Sequence, residues 1–145
     1  MHKAYLIAAA LALGSARPMP CLAAAPVPPP VDSGLARDML KALVEIDTTH
    51  AHGSTAAAKT IQMWLANAGF PASDLVLIAA PDRPAKASLV VRYRGRHSKP
   101  AVLFMGHLDV VDANPADWSV DPFKLTEKDG WFYGRGTIDM KDGDA

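Results

Sequence analysis

Val102-Leu103-Phe104-Met105-Gly106-His107-Leu108-Asp109-Val110-Val111, followed later by Gly134-Arg135-Gly136-Thr137-Ile138-Asp139-Met140-Lys141-Asp142-Gly143, is the part of the sequence that decides the fold. The first stretch opens as an unbroken apolar run and ends in a His and an Asp two positions apart. An apolar run without alternation suits a strand covered on both faces, in a sheet flanked by helices. A buried strand is therefore predicted over Ala101–Met105. Side chains at i and i+2 of extended chain point to the same side. His107 and Asp109 are thus expected together at the carboxyl edge of the sheet, where open α/β sheets place their ligands.

Working outward, the flanking patterns give an α/β chain in which a helical hairpin leads into a mixed sheet. Asp32 or Ser33 can cap a helix running to about Asp47, with Leu35, Met39, Leu40, Leu43, Val44 and Ile46 on its apolar stripe. Thr48–Gly53 reads as a loop. Ser54 can cap a second helix with Ala57, Ile61, Trp64, Leu65 and Ala68 inward, stopped by Gly69. Strand-like runs follow at Leu75–Ala79 and Ser88–Tyr93. A further pair, Phe123–Glu127 and Trp131–Tyr133, is joined through Asp129-Gly130, a strong hairpin signal because Gly accepts the positive φ of the turn.

The first thirty residues carry a different message. His2 and Lys3 precede an apolar run from Ala4 to Gly14, shorter than the roughly 20 residues a membrane-spanning helix needs. Small residues near Ala23–Ala25 offer a cleavage site, so residues 1–25 read as a secretory signal peptide, with an uncleaved anchor as the alternative. Residues 26–31 read as a stiff Pro-rich linker and residues 32–145 as the domain. The expected location is exported, periplasmic or secreted, with no stable membrane anchor. Cys21 is the only cysteine and follows Pro20, where a lipoprotein signal wants a small residue. With 15 basic and 15 acidic residues, the chain shows no basic face that would ask for nucleic acid.

The chemistry-bearing residues are His107, Asp109 and Asp139. A metal-binding imidazole works best when its second nitrogen is held by a carboxylate, a role open to Asp109. His107 would then present its free nitrogen to a divalent ion, zinc being the usual match for imidazole and carboxylate donors. Asp139 follows a Gly-Arg-Gly loop that permits close approach, and its two oxygens could bridge two cations. Taken alone, His-x-Asp at a strand end is a weak metal signal and more often marks a structural His hydrogen-bonded to a carboxylate.

The combination of Gly-His-Leu-Asp-Val-Val, Trp118-x-x-x-Pro122-Phe123, the Asp-Gly hairpin and Gly-Arg-Gly-x-x-Asp-Met-Lys resembles the di-zinc exopeptidase and amidohydrolase family. That family includes carboxypeptidase G, aminoacylase-1, succinyl-diaminopimelate desuccinylase and the carnosinase-like dipeptidases. The resemblance runs from about Asp32 to the end and is specific from Val102 to Gly143. It implies that His107 is a zinc ligand, that Asp109 is the catalytic residue supporting it, and that Asp139 bridges two zinc ions, with a cis peptide after it. It also implies a small peptide or an N-acyl amino acid as substrate.

In that family the general base, the remaining ligands and a smaller lid or dimerisation domain come from sequence beyond the bridging Asp. The chain is accordingly expected to be the N-terminal part of a catalytic domain, inactive and poorly folded by itself, with homodimers open only to the full-length form. A non-catalytic exported binding module is the alternative.

The remaining candidates are weaker. Trp118, Pro122 and Phe123 read as packing beneath the loop. Lys141 and Asp142 read as a solvated or structural helix start, with Asp142 where the family usually has Gly. His50 and His52 form a His-x-His with no third ligand nearby, and His97 sits in a basic turn.

Overall fold

The computed structural model describes residues 30–96 and 99–145. The expected signal peptide, most of the linker, Cys21 and His97 lie outside the described residues. The first helix, α1 (Pro30–Val44), takes in positions 30 and 31, which the sequence reading gave to the linker. Proline suits a helix start because its missing N–H would have no intrahelical partner there. The helix also ends earlier than the expected Asp47. The Asp47 carboxylate accepts the Thr49 N–H at 2.9 Å, a side-chain turn that diverts the backbone from helical pairing. Only the C-terminal half of α1 is buried, through Leu40, Leu43 and Val44, while Leu35 is exposed.

The second helix, α2 (Thr55–Asn67), starts and stops where the sequence places it. Ser54 occupies the N-cap position, but its hydroxyl donates to the Ala87 carbonyl at 2.8 Å rather than capping the helix. The Thr55 hydroxyl donates to Pro84 O at 2.8 Å and accepts the Ala87 N–H at 2.9 Å. These bonds stitch the helix to the connection between strands β1 (Leu75–Ile78) and β2 (Ser88–Val91). At the far end, Gly69 has φ +92°. Its N–H donates to Ala66 O, and the Phe70 N–H reaches Leu65 O, each at 3.0 Å. Those two bonds close the helix with a left-handed glycine stop.

The α/β class stands, in the form of two separate antiparallel pairs among the described residues. Leu75 faces Val91 and Ile78 faces Ser88 in the first pair, which packs under α2. The second pair is the expected hairpin, β3 (Thr126–Lys128) with β4 (Trp131–Tyr133). Lys128 faces Trp131, and the two residues between them, Asp129 (φ 55°) and Gly130 (φ 79°), both take positive φ. This is the geometry that matches the twist of two strands joined by a two-residue turn. The hairpin is tied to α1 by an ion pair between Arg37 and Glu127 and by the Arg37 guanidinium 5.7 Å from the Phe132 ring centre.

The apolar run does not follow the sequence reading. Residues 101–114 form no strand, and Val102, Leu103, Phe104 and Met105 are 76–90% exposed. Apolar composition alone does not make a buried strand; a neighbour must offer a hydrogen-bonding edge and a second layer must cover the face. Among the described residues, β1 and β2 pair only with each other, and the run stays exposed. No helix among the described residues is long and apolar enough to cross a membrane.

Candidate functional site

The site is assembled at the junction between α1 and α2. Thr48, fully buried, donates its hydroxyl to Leu108 O at 2.6 Å, and its carbonyl accepts the Val110 N–H at 3.2 Å. These bonds hold the segment that carries His107 and Asp109. The Gly134–Gly136 loop packs on the same junction from the other side. A Cβ on Gly134 would lie 2.7 Å from a methyl of buried Val44, so the close approach requires glycine. Beneath this loop Pro122 is buried, and its carbonyl accepts the Arg135 N–H at 2.6 Å. Trp118 carries the Arg135 guanidinium 5.0 Å above its ring. The peptide bond between Asp139 and Met140 is cis.

His107 and Asp139 meet across 32 positions, with Nε2 2.9 Å from Oδ1 of the carboxylate. On the other side of the ring, Nδ1 donates to the backbone carbonyl of Asp109 at 3.0 Å. The Asp109 carboxylate lies farther off, at 3.5 Å. The sequence reading gave the supporting role to that carboxylate; the nearer contact is the carbonyl of the same residue, in a segment that forms no strand. A carbonyl oxygen at Nδ1 and a carboxylate oxygen at Nε2 both favour the protonated ring. The Asp109 carbonyl, and then the Asp139 and Asp109 carboxylates, raise the imidazole above its ordinary value, against the desolvation that lowers it.

Two clefts, of about 540 and 510 Å³, share His107 and Asp109 as a common wall. The first brings in Asp139 together with Lys86, His50 and Arg135. The second is lined by Phe104, Met105 and Asp144. His50 Nδ1 accepts from Lys86 Nζ at 3.1 Å, whereas His52 Nδ1 lies 3.1 Å from both Thr49 Oγ1 and Asp47 Oδ2. The His-x-His residues thus turn to different partners.

Two residues carry more of the site than the sequence suggested. Lys141 is fully buried rather than solvated, and its ammonium donates to Leu43 O and Ile46 O, each at 2.8 Å. Burial lowers its pKa to about 8, against the attraction of Asp47 and Asp144. Asp144 Oδ2 is buried without a hydrogen-bond partner, and burial raises this carboxyl above the ordinary range. It sits against Gly106, where a Cβ would come within 2.3 Å of its other oxygen. The Gly before His107 was the only sequence sign of that approach.

An imidazole nitrogen and a carboxylate oxygen that converge in an open cleft suit a divalent cation as two of its ligands. The donors are accessible, His107 being 49% and Asp139 80% exposed. Among the described residues no group of three or more His, Cys, Asp or Glu completes a shell.

The model of peptidase family M20/M25/M40 matches residues 103–145. Over 78 residues, 54% of this chain, the sequence is 42% identical to an acetylornithine deacetylase of Pasteurella multocida, covering 19% of that protein. Over 86 residues, 59% of this chain, it is 42% identical to a succinyl-diaminopimelate desuccinylase of Parvibaculum lavamentivorans, covering 21%. A probable succinyl-diaminopimelate desuccinylase of Staphylococcus aureus is 58% identical over 45 residues, 30% of this chain and 11% of its own length. The chain thus matches about a fifth or less of the length of these curated relatives. Over residues 103–145, which hold His107, Asp109 and Asp139, the chain is similar to peptidase family M20/M25/M40.

Proposed function

We propose that this chain contributes the first metal ligands of a zinc-dependent hydrolase acting on an amide or peptide bond. The observation that carries the reading is the 2.9 Å approach of His107 Nε2 to Asp139 Oδ1. His107 and Asp139 would hold the metal, and Asp109 would orient the imidazole through its carbonyl, keeping the Nδ1 proton in place and turning Nε2 toward the cation. Asp139 has a second oxygen for a second ion. When bound, zinc supplies an acidified water and polarises a carbonyl. The substrate class is an N-acyl amino acid or small peptide; the names of the acetylornithine deacetylase and succinyl-diaminopimelate desuccinylase relatives support the first. The described residues offer no group placed as general base, so hydrolysis is assigned to a longer protein that contains this sequence and not to these residues alone. Export stays part of the proposal, on the Ala4–Gly14 apolar run.

The test is zinc analysis and an amidase assay on the longest natural polypeptide carrying this sequence, with a chelator control. Stoichiometric zinc that is lost in His107→Ala and Asp139→Ala, together with hydrolysis of N-acyl amino acids, supports the reading. Unchanged zinc content in both variants sinks it. A binding module that keeps the fold without catalysis would retain ligand binding with no chelator-sensitive turnover.

A further inference from the structure

We propose that Lys141 and Thr48 are positioning residues: acting from one platform, the junction spanning 43–49, they set His107 against Asp139. The consequence for metal binding rests on the reading above; the geometry does not.

The side chains of His107 and Asp139 are exposed, 49% and 80%. Packing on the side chains themselves therefore cannot fix their separation, and the constraint has to reach them through the backbone. On the His107 side it comes from Thr48, whose hydroxyl binds Leu108 O and whose carbonyl binds the Val110 N–H. Those two bonds bracket Asp109 and fix the chain immediately after His107. On the Asp139 side it comes from Lys141, two residues on. Its N–H donates to Gly136 O at 3.0 Å, and its ammonium reaches Leu43 O and Ile46 O.

A buried ammonium is tolerated only when its hydrogens are taken up. Carbonyls at the end of a helix are suitable acceptors, since they carry the negative end of the helix dipole and each has two lone pairs; Leu43 O also accepts the Ile46 N–H at 3.2 Å. The stem of Lys141 fills the space facing Gly136. A Cβ there would lie 2.9 Å from Lys141 Cδ and 3.1 Å from a Val110 methyl. Val110 in turn hangs from Thr48, so both halves of the site close on the same few residues. The glycine, the lysine and the threonine form one contact set although they are distant in sequence.

The experiment uses the whole chain without metal and reads the His107 ring nitrogens and protons by NMR. The variants are Lys141→Met, Thr48→Val and Thr48→Ser, with Asp139→Ala as the reference for a lost contact. In Lys141→Met and Thr48→Val the His107 ring signals should move to those of Asp139→Ala, while circular dichroism keeps its wild-type shape. Thr48→Ser, which retains the hydroxyl, should keep the wild-type signals.

Cobalt(II) titration gives a second readout, with affinity falling about 10–100-fold in the first two variants, as for other residues that orient metal ligands. Folded Lys141→Met and Thr48→Val with unchanged ring signals overturn the proposal. If Lys141→Met does not fold, the contrast between Thr48→Val and Thr48→Ser decides it. If the wild-type chain takes up no cobalt, as two ligands without a completed shell allow, the ring signals alone judge the positioning.

Discussion

The ring of His107 lies between two parts of the chain, with Nε2 2.9 Å from the Asp139 carboxylate and Nδ1 3.0 Å from the Asp109 carbonyl. Because the Asp109 carbonyl is the larger of the influences that raise the imidazole pKa, Asp109→Asn should leave most of the elevation in place. Asp139→Asn should lower the midpoint while leaving it above that of Asp139→Asn combined with a distorted 108–110 backbone, as in Thr48→Val. An NMR titration of His107 checks both. An Asp109→Asn protein that titrates at the ordinary 6.5 would show that the carboxylate and not the carbonyl controls the ring.

Gly136 takes φ +93° with Lys141 and Val110 packed against it. Gly136→Ala should therefore cost about 1–3 kcal/mol, the usual range for a non-glycine residue held in the left-handed region. Gly34 lies within α1 with nothing within 4 Å of an added Cβ. Gly34→Ala should instead add about 0.5–1 kcal/mol, by reducing the freedom lost on helix formation. Urea unfolding of the two variants gives the comparison, and equal effects would contradict it.

Asp74 is almost fully buried, and Arg94 clasps both its oxygens at 2.7 Å, with Arg92 at 3.8 Å. The Arg94 hydrogen bonds and the two guanidinium charges hold this carboxyl below its ordinary 3.8, against burial. A carboxyl depressed in the folded state stabilises the fold fully above its unfolded pKa and loses that contribution as pH falls through the folded value. Stability should thus be level in this respect above about pH 4 and fall below it. Asp74→Asn should be less stable at pH 7 and should flatten the acid limb, read from denaturant midpoints against pH.

The exposure of Leu103 and Phe104, 80% and 90%, sets a further expectation. Leu103→Lys should change the unfolding free energy by no more than about 0.5 kcal/mol, the range for surface substitutions. It should also reduce self-association, since it breaks a contiguous apolar patch. In a strand covered on both faces the same lysine would be a buried unpaired charge, and the protein would lose most of its stability. Chemical denaturation with light scattering separates the two cases.

What was legible in the sequence is what local chemistry controls. The Asp129-Gly130 turn, the Gly69 stop and the placing of α2 follow from positive φ and from the hydrogen bonds a helix end leaves open. Those requirements are met within a few residues, so they can be read from a few residues. Ser54 was legible as a helix boundary but not as a donor to Ala87, which lies 33 positions away. The end of α1 shifted because the Asp47 side chain competes for a backbone N–H. That outcome turns on geometry and not on composition.

The sequence by itself determined which residues could do chemistry: the motifs around His107 and Asp139 carry the family resemblance, and the family model falls on residues 103–145. Only the tertiary structure decided how those residues are held. It gave the Nδ1 contact to a carbonyl in place of a carboxylate, buried Lys141 at the end of α1, and left Val102–Met105 exposed. The physical reason is range. A turn or a helix stop is set by neighbours along the chain, whereas burial and the satisfaction of an ammonium depend on which distant segments arrive beside it.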